Sequence, residues 1–149
     1  MILPDFKDFP KTGRVIGVDW GARRTGVAIS DETRKIVFTR PVINPMPNKS
    51  VADRVAELVR QERVGGIVIG LPLRMDGTES DTTAMVRKFA NDLAGQVGVP
   101  ICFVDETLTS TSAQESMGRV RVRDIKQHLD SESARVILEN AIAILNRLK

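Results

Sequence analysis

Three acidic positions in this chain stand where a carboxylate could do chemistry: Asp19, the pair Asp105-Glu106, and Asp130. Asp19 falls in V-I-G-V-D-W-G-A-R-R-T-G-V-A-I-S, residues 15–30, between two short runs of β-type residues bounded by glycines, the pattern of adjacent hairpin strands. A carboxylate beside a core costs on the order of several kcal/mol unless a cation, a donor or water meets it. Gly17 and Gly21 leave room for a metal or a phosphate to approach the backbone. The alternative is a turn aspartate bonding its own loop amides. Glu106 ends an apolar run, with a solvated loop acid as its plainer reading. Asp130 lies one turn before Ala134 and two before Ile137-Leu138, so it shares their helix face, although Asp is also a common N-cap. Taken together, three carboxylates with no His or Cys cluster suit Mg²⁺ or Mn²⁺ rather than zinc. Two such ions can generate an attacking hydroxide and stabilise a leaving phosphodiester oxygen. Without metal, the three would repel one another and raise at least one pKa.

The elements that must hold these acids follow from the residue pattern. The chain of 149 residues is expected to be an irregular arm, 1–12, and one domain, 13–149. Pro4 and Pro10 should deny the arm regular pairing, and Phe6 and Phe9 should tack it to the body. Strands are expected over Arg14 to Trp20, Thr25 to Asp31 and Lys35 to Ile43, an antiparallel meander. A capping box at Ser50 and Asp53 should open a helix ending near Arg63. Ile67-Val68-Ile69 resembles a strand buried on both faces, opening at Gly70 into a loop through Thr78. Ser80 should cap a second helix, and Ile101 to Val104 should form a last buried strand. A short helix to about Met117, a basic loop from Gly118 to Lys126 and a final helix from about Asp130 complete the order. Strand–helix–strand units imply parallel neighbours. The expected fold is α/β, a five-stranded mixed sheet of three antiparallel strands and then βαβ units, flanked by helices. Ligands gather beyond the carboxyl ends of such strands, where Asp19, Gly70 and Glu106 would emerge together.

Charge narrows the partners. The formal net charge is +3, which permits a polyanion without demanding one. Arg23, Arg24 and Arg74 fall in loops at the expected active edge, and Arg119, Arg121, Arg123 and Lys126 form a basic strip. These residues could contact phosphates or form an ordinary solvated surface. His128 is read as a solvated helix-entry residue rather than a proton shuttle. Trp20 is read as packing under the sheet rather than stacking a base. Cys102 sits in an apolar run, as a buried inert thiol would. The first residues lack the layout of a signal peptide and no run is long enough to span a bilayer, so a cytoplasmic protein without membrane contact is expected.

Five stretches in order resemble the successive motifs of the YqgF family. They are Gly17-Val18-Asp19-Trp20-Gly21, Arg24-Thr25-Gly26-Val27-Ala28, Gly70-Leu71-Pro72-Leu73-Arg74-Met75-Asp76-Gly77-Thr78, Asp105-Glu106-Thr107-Leu108-Thr109 and Asp130-Ser131-Glu132-Ser133-Ala134. The resemblance implies an RNase H-like fold and a nuclease with Asp19, Glu106 and Asp130 as metal-binding catalytic acids. It implies a substrate of either pre-16S ribosomal RNA, matured at its 5′ end, or branched DNA at a Holliday junction. The chain departs from the family at Thr107, where Arg usually follows the Asp-Glu pair, and at Ser80, where Gly is usual. A monomer or weak homodimer is expected. Two other classes compete. The I-G-V-D-x-G hairpin also resembles the phosphate-binding hairpin of actin-like phosphotransferases, but those need a second domain. A non-catalytic nucleic-acid module would be expected to have lost an acid, and all three are present here.

Overall fold

The computed structural model describes residues 1–107 and 122–148, with side chains for 1–106 and 131–148. The strands are β1 (Val15–Asp19), β2 (Thr25–Ser30), β3 (Val37–Ile43), β4 (Gly66–Leu73) and β5 (Ile101–Thr107). The helices are α1 (Val51–Gln61), α2 (Asp81–Ala94) and α3 (Val122–Arg147). The sheet order is β3-β2-β1-β4-β5. β1 pairs antiparallel with β2, as β2 does with β3, while β4 is parallel to both β1 and β5. This is the mixed five-stranded sheet expected from the sequence.

Period-two alternation divides the strands between two cores. Ile16, Val18, Val27, Ile29, Ile67 and Ile69 pack with Val55 and Val59 of α1 and Val86, Phe89 and Leu93 of α2. Val15, Ala28, Val68, Cys102 and Val104 pack with Ala134, Ile137, Leu138 and Ala141 of α3. Both helix starts on the first face are capped. Ser50 Oγ accepts from Asp53 N at 3.0 Å, and the Asp53 carboxylate accepts from Ser50 N at 3.2 Å. At α2, Ser80 Oγ accepts from Thr83 N at 3.4 Å while Thr83 Oγ1 accepts from Ser80 N at 2.9 Å. The Ser80 hydroxyl therefore supplies one of two reciprocal bonds and the Thr83 side chain the other, the pattern of a capping box.

Several boundaries differ from expectation, and β5 runs past Val104 to Thr107, so Asp105 and Glu106 lie within the strand. β4 continues through Gly70 and Pro72 to Leu73 instead of opening at Gly70. Proline lacks a ladder donor, yet here nothing is lost. Ile67 N donates to Pro100 O on the β5 side, so residues 68, 70 and 72 turn their amides toward β1. The β1 ladder ends with Val18 opposite Ile69, so Pro72 lies past its end, an edge position for its missing N–H. α3 begins at Val122, not near Asp130, so Asp130 is inside a helix and does not cap one. The same extension puts Arg123, Lys126 and His128 in helical backbone instead of a loop or helix entry. Val122, Ile125 and Leu129 already carry helical spacing, which the interleaved charges hid. The short helix expected to end near Met117 lies outside the described residues. Finally, the arm is not wholly unpaired. Leu3 N donates to Ile101 O at 2.7 Å and Ile101 N to Met1 O at 2.8 Å, a one-residue parallel bridge along β5.

Beyond Pro4 the arm is held by side chains, with Phe6 and Phe9 buried and their rings edge to face at 5.4 Å. Among the described residues no helix is long and apolar enough to cross a membrane.

Candidate active site

Strand parity decides where the acids face. Asp19 shares the parity of Val15 and Gly17, and Glu106 that of Cys102 and Val104, so both belong to the sheet face that α3 covers. Asp105 takes the opposite parity and is exposed. Register brings the pair close along the strands, since Val18 pairs with Ile69, Gly70 with Val104 and Pro72 with Glu106. Asp19 and Glu106 thus flank β4, two strand spacings apart, roughly 10 Å laterally. Gly70 lies between them without a side chain. A Cβ there would meet Ile137 Cδ1 of α3 at 2.4 Å and Glu106 Cγ at 3.4 Å. Gly17 serves the same approach one strand over, where a Cβ would stand 2.7 Å from Leu138 Cβ and 2.9 Å from Ala134 O. The glycines let α3 come down onto the sheet beside the acids.

Burial pushes the Glu106 carboxyl up from its usual range, and a hydrogen bond with the Asn140 side chain pulls it partly back. Asn140, three residues past Ile137 on α3, is a site neighbour that the sequence analysis missed. Its only signal was helical spacing from the residues that pack on β4. Asp130 stands on α3 one turn before Ala134, and its side chain lies outside the described part. Asp19 and Glu106 offer the hard oxygen donors that Mg²⁺ or Mn²⁺ takes, and a desolvated carboxylate gains from an adjacent cation. Among the described residues no three His, Cys, Asp or Glu side chains form a metal-binding group, so the pair alone is an incomplete ligand set.

The basic residues divide. Arg23, exposed, and Arg24, half-buried, lie in the turn that follows Asp19. That turn requires Gly21, because a Cβ would stand 2.4 Å from Arg24 O. Arg74 follows β4 at the same end of the sheet, but its guanidinium is turned onto its own loop, 3.0 Å from Glu79 O and 3.4 Å from Thr78 Oγ1. Arg119 and Arg121 lie outside the described residues, as do the side chains of Arg123 and Lys126. Arg87, which the sequence did not single out, forms a bidentate pair with Glu79 at 2.8 and 2.9 Å and lies 5.5 Å over the Phe103 ring. Trp20 packs on the α2 side, 6.4 Å from the Phe89 ring centroid, in agreement with its reading as a packing residue.

Residues 13–144 match the model of the RuvX family, described as Holliday junction resolvase. The chain belongs to the RuvX family. A Maridesulfovibrio salexigens protein is 38% identical over 132 residues, covering 87% of this chain and 98% of its own. One from Roseiflexus sp. is 34% identical over 130 residues, covering 86% and 92%. Both are described as "Putative pre-16S rRNA nuclease". Among solved structures, Thermus thermophilus RuvC superposes with a TM-score of 0.53 at 14% identity, covering 89% of this chain and 96% of that one. The fowlpox virus Holliday junction resolvase superposes at 0.51 and 12% identity, covering 91% and 99%. At such identities the likeness is one of fold, the RNase H-like α/β sheet. The RuvX membership agrees with the YqgF resemblance read from the five motifs.

Proposed function

We propose that this chain is a Mg²⁺- or Mn²⁺-dependent endonuclease that processes the 5′ end of pre-16S ribosomal RNA in the cytoplasm. Its nuclease domain is residues 13–149, preceded by the arm 1–12. The observation that carries the reading is the convergence of Asp19 and Glu106 on one sheet face at the carboxyl ends of β1 and β5. The curated relatives' description supplies the substrate class. Asp19, Glu106 and Asp130 would hold the divalent ions, which when bound supply a hydroxide at neutral pH and stabilise the leaving oxygen. The chain's own groups do the rest. Asn140 hydrogen-bonds with Glu106 and favours its charged form, and the half-buried setting of Glu106 strengthens its attraction for cations. Arg23, Arg24 and Arg74, with Arg119, Arg121, Arg123 and Lys126, would contact phosphates and orient the strand.

The test is cleavage of a 5′-extended 16S precursor and of a four-way DNA junction, with and without Mg²⁺. Asp19→Asn should retain the wild-type circular dichroism spectrum and lose metal-dependent cleavage by at least a hundredfold. A folded Asp19→Asn protein with wild-type turnover would sink the catalytic assignment. The family's resolvase description favours branched DNA as the second reading, and faster cleavage of the junction than of the precursor would establish it.

A further inference from the structure

The far end of the sheet holds a second charged feature. A cavity of about 30 Å³ is lined by Lys7 and Lys11 of the arm, Arg34, and the apolar side chains of Phe6, Phe9 and Leu145. Arg34 is 7% exposed. Its Nε donates to Gly13 O at 2.8 Å, and its Nη2 to Pro10 O at 2.7 Å and Thr12 O at 2.9 Å. Nη1 is buried and has no hydrogen-bond partner. Every acceptor that Arg34 does have is a neutral carbonyl, and among the described residues no carboxylate pairs with it. Carbonyls, with the Phe9 ring centroid 6.0 Å from the guanidinium carbon, offset its charge only in part, and a buried charge without a counter-ion is costly. Desolvation lowers the pKa of Arg34 accordingly. The two lysines add positive charge at the mouth, and the lining includes no acid.

We propose that this pocket binds a phosphate group, held by Lys7 and Lys11 over the fixed charge of Arg34. A cavity of this size holds about two water-sized oxygens, so a phosphate would seat part of its oxygens there and leave the rest at the mouth beside the lysines, while a base or a sugar is too large. The site is separate from the acids. Arg34 bonds to Gly13, six residues before Asp19 and at the opposite end of β1, so the two lie roughly 20 Å apart along the strand direction. The phosphate is either inorganic phosphate or a backbone phosphate of a nucleic acid that also reaches the acids. The second source rests on the nuclease reading, and the first does not.

The experiment follows the Arg34 Nε–Hε signal by NMR in the full-length Asp19→Asn protein, which leaves RNA uncut. Inorganic phosphate is titrated against chloride at matched ionic strength. A saturable shift is expected with phosphate only, and Lys7→Gln/Lys11→Gln should weaken it at least tenfold. Both lysines are exposed, so the double variant should keep the wild-type unfolding midpoint. A second titration uses a single-stranded RNA of about 20 nucleotides. If RNA shifts the same signal and the double variant lowers the log–log salt slope by about 0.7 per lysine, the source is the nucleic-acid backbone. A shift with inorganic phosphate alone identifies a free-anion site. No saturable shift with either probe, or one that the double variant leaves unchanged, overturns the proposal.

Discussion

At the scale of single residues, one well-satisfied acid among the described residues lies outside the candidate site. The Asp31 carboxylate accepts from the Thr33 hydroxyl and from the backbone amides of Lys35 and Ile36, the latter two at 3.0 Å. The Thr33 hydroxyl first, then the Ile36 amide, hold its pKa at about 2. A folded-state pKa below the unfolded one means stability present above about pH 4 and lost as pH falls toward 2. Asp31→Asn should therefore lower the urea midpoint at pH 7, with the difference from wild type closing as pH falls through that window. A gap that persists unchanged at pH 2 would show that Asp31 acts by something other than its charge. Glu106 moves the other way, because burial outweighs its hydrogen bond with Asn140. That contrast was not legible beforehand, because both acids follow an apolar strand run and differ only in what the fold brings to them. Cys102, by contrast, was legible. Its apolar neighbours announced burial, and the thiol is indeed 2% exposed, its pKa raised to about 11 by that burial.

At the scale of elements, the approach of α3 to the sheet rests on two glycines that differ in what they touch. A methyl at Gly17 would meet Ala134 O and Leu138 Cβ, atoms close to or part of the helix backbone. A methyl at Gly70 would meet chiefly the flexible end of Ile137, which can change rotamer. Gly17→Ala should cost about 1–3 kcal/mol, and Gly70→Ala about 1 kcal/mol or less. Gly70→Ala should instead depress cleavage disproportionately, since it crowds Glu106 from 3.4 Å. Urea denaturation and cleavage rates of both variants check this, and equal stability losses would refute it. Strand order and both helix caps were readable because apolar runs and Ser-x-x-Asp or Ser-x-x-Thr spacing are local signals. The true reach of β4 was not, because whether Pro72 can stay in a strand depends on where a neighbouring strand ends. The start of α3 was misjudged for a related reason, since charges between Val122, Ile125 and Leu129 outweighed a spacing that only packing makes decisive.

At the scale of the whole molecule, residues distant in sequence close the fold. The arm crosses to β5 and seats Phe9, 2% exposed, where Gly66 has no Cβ to obstruct the ring. Phe9→Ala should cost about 3–5 kcal/mol by loss of burial and creation of a cavity, read as a lowered urea midpoint. A loss below about 1 kcal/mol would mean that the arm is only loosely attached. α3 has the wider reach, because it touches all five strands and supplies most of the cover for Val15, Ala28, Val68 and Cys102. The order of biosynthesis gives that arrangement a meaning of its own. A ribosome makes all five strands before residues 134–145, so a growing polypeptide carries one bare apolar sheet surface until those residues emerge. The arm, made before β5, must likewise wait for Ile101 before its bridge can form. Closure of this domain thus waits for α3 to be made, and a chain cut short before Ala134 would leave one sheet face uncovered rather than form a smaller version of the same domain.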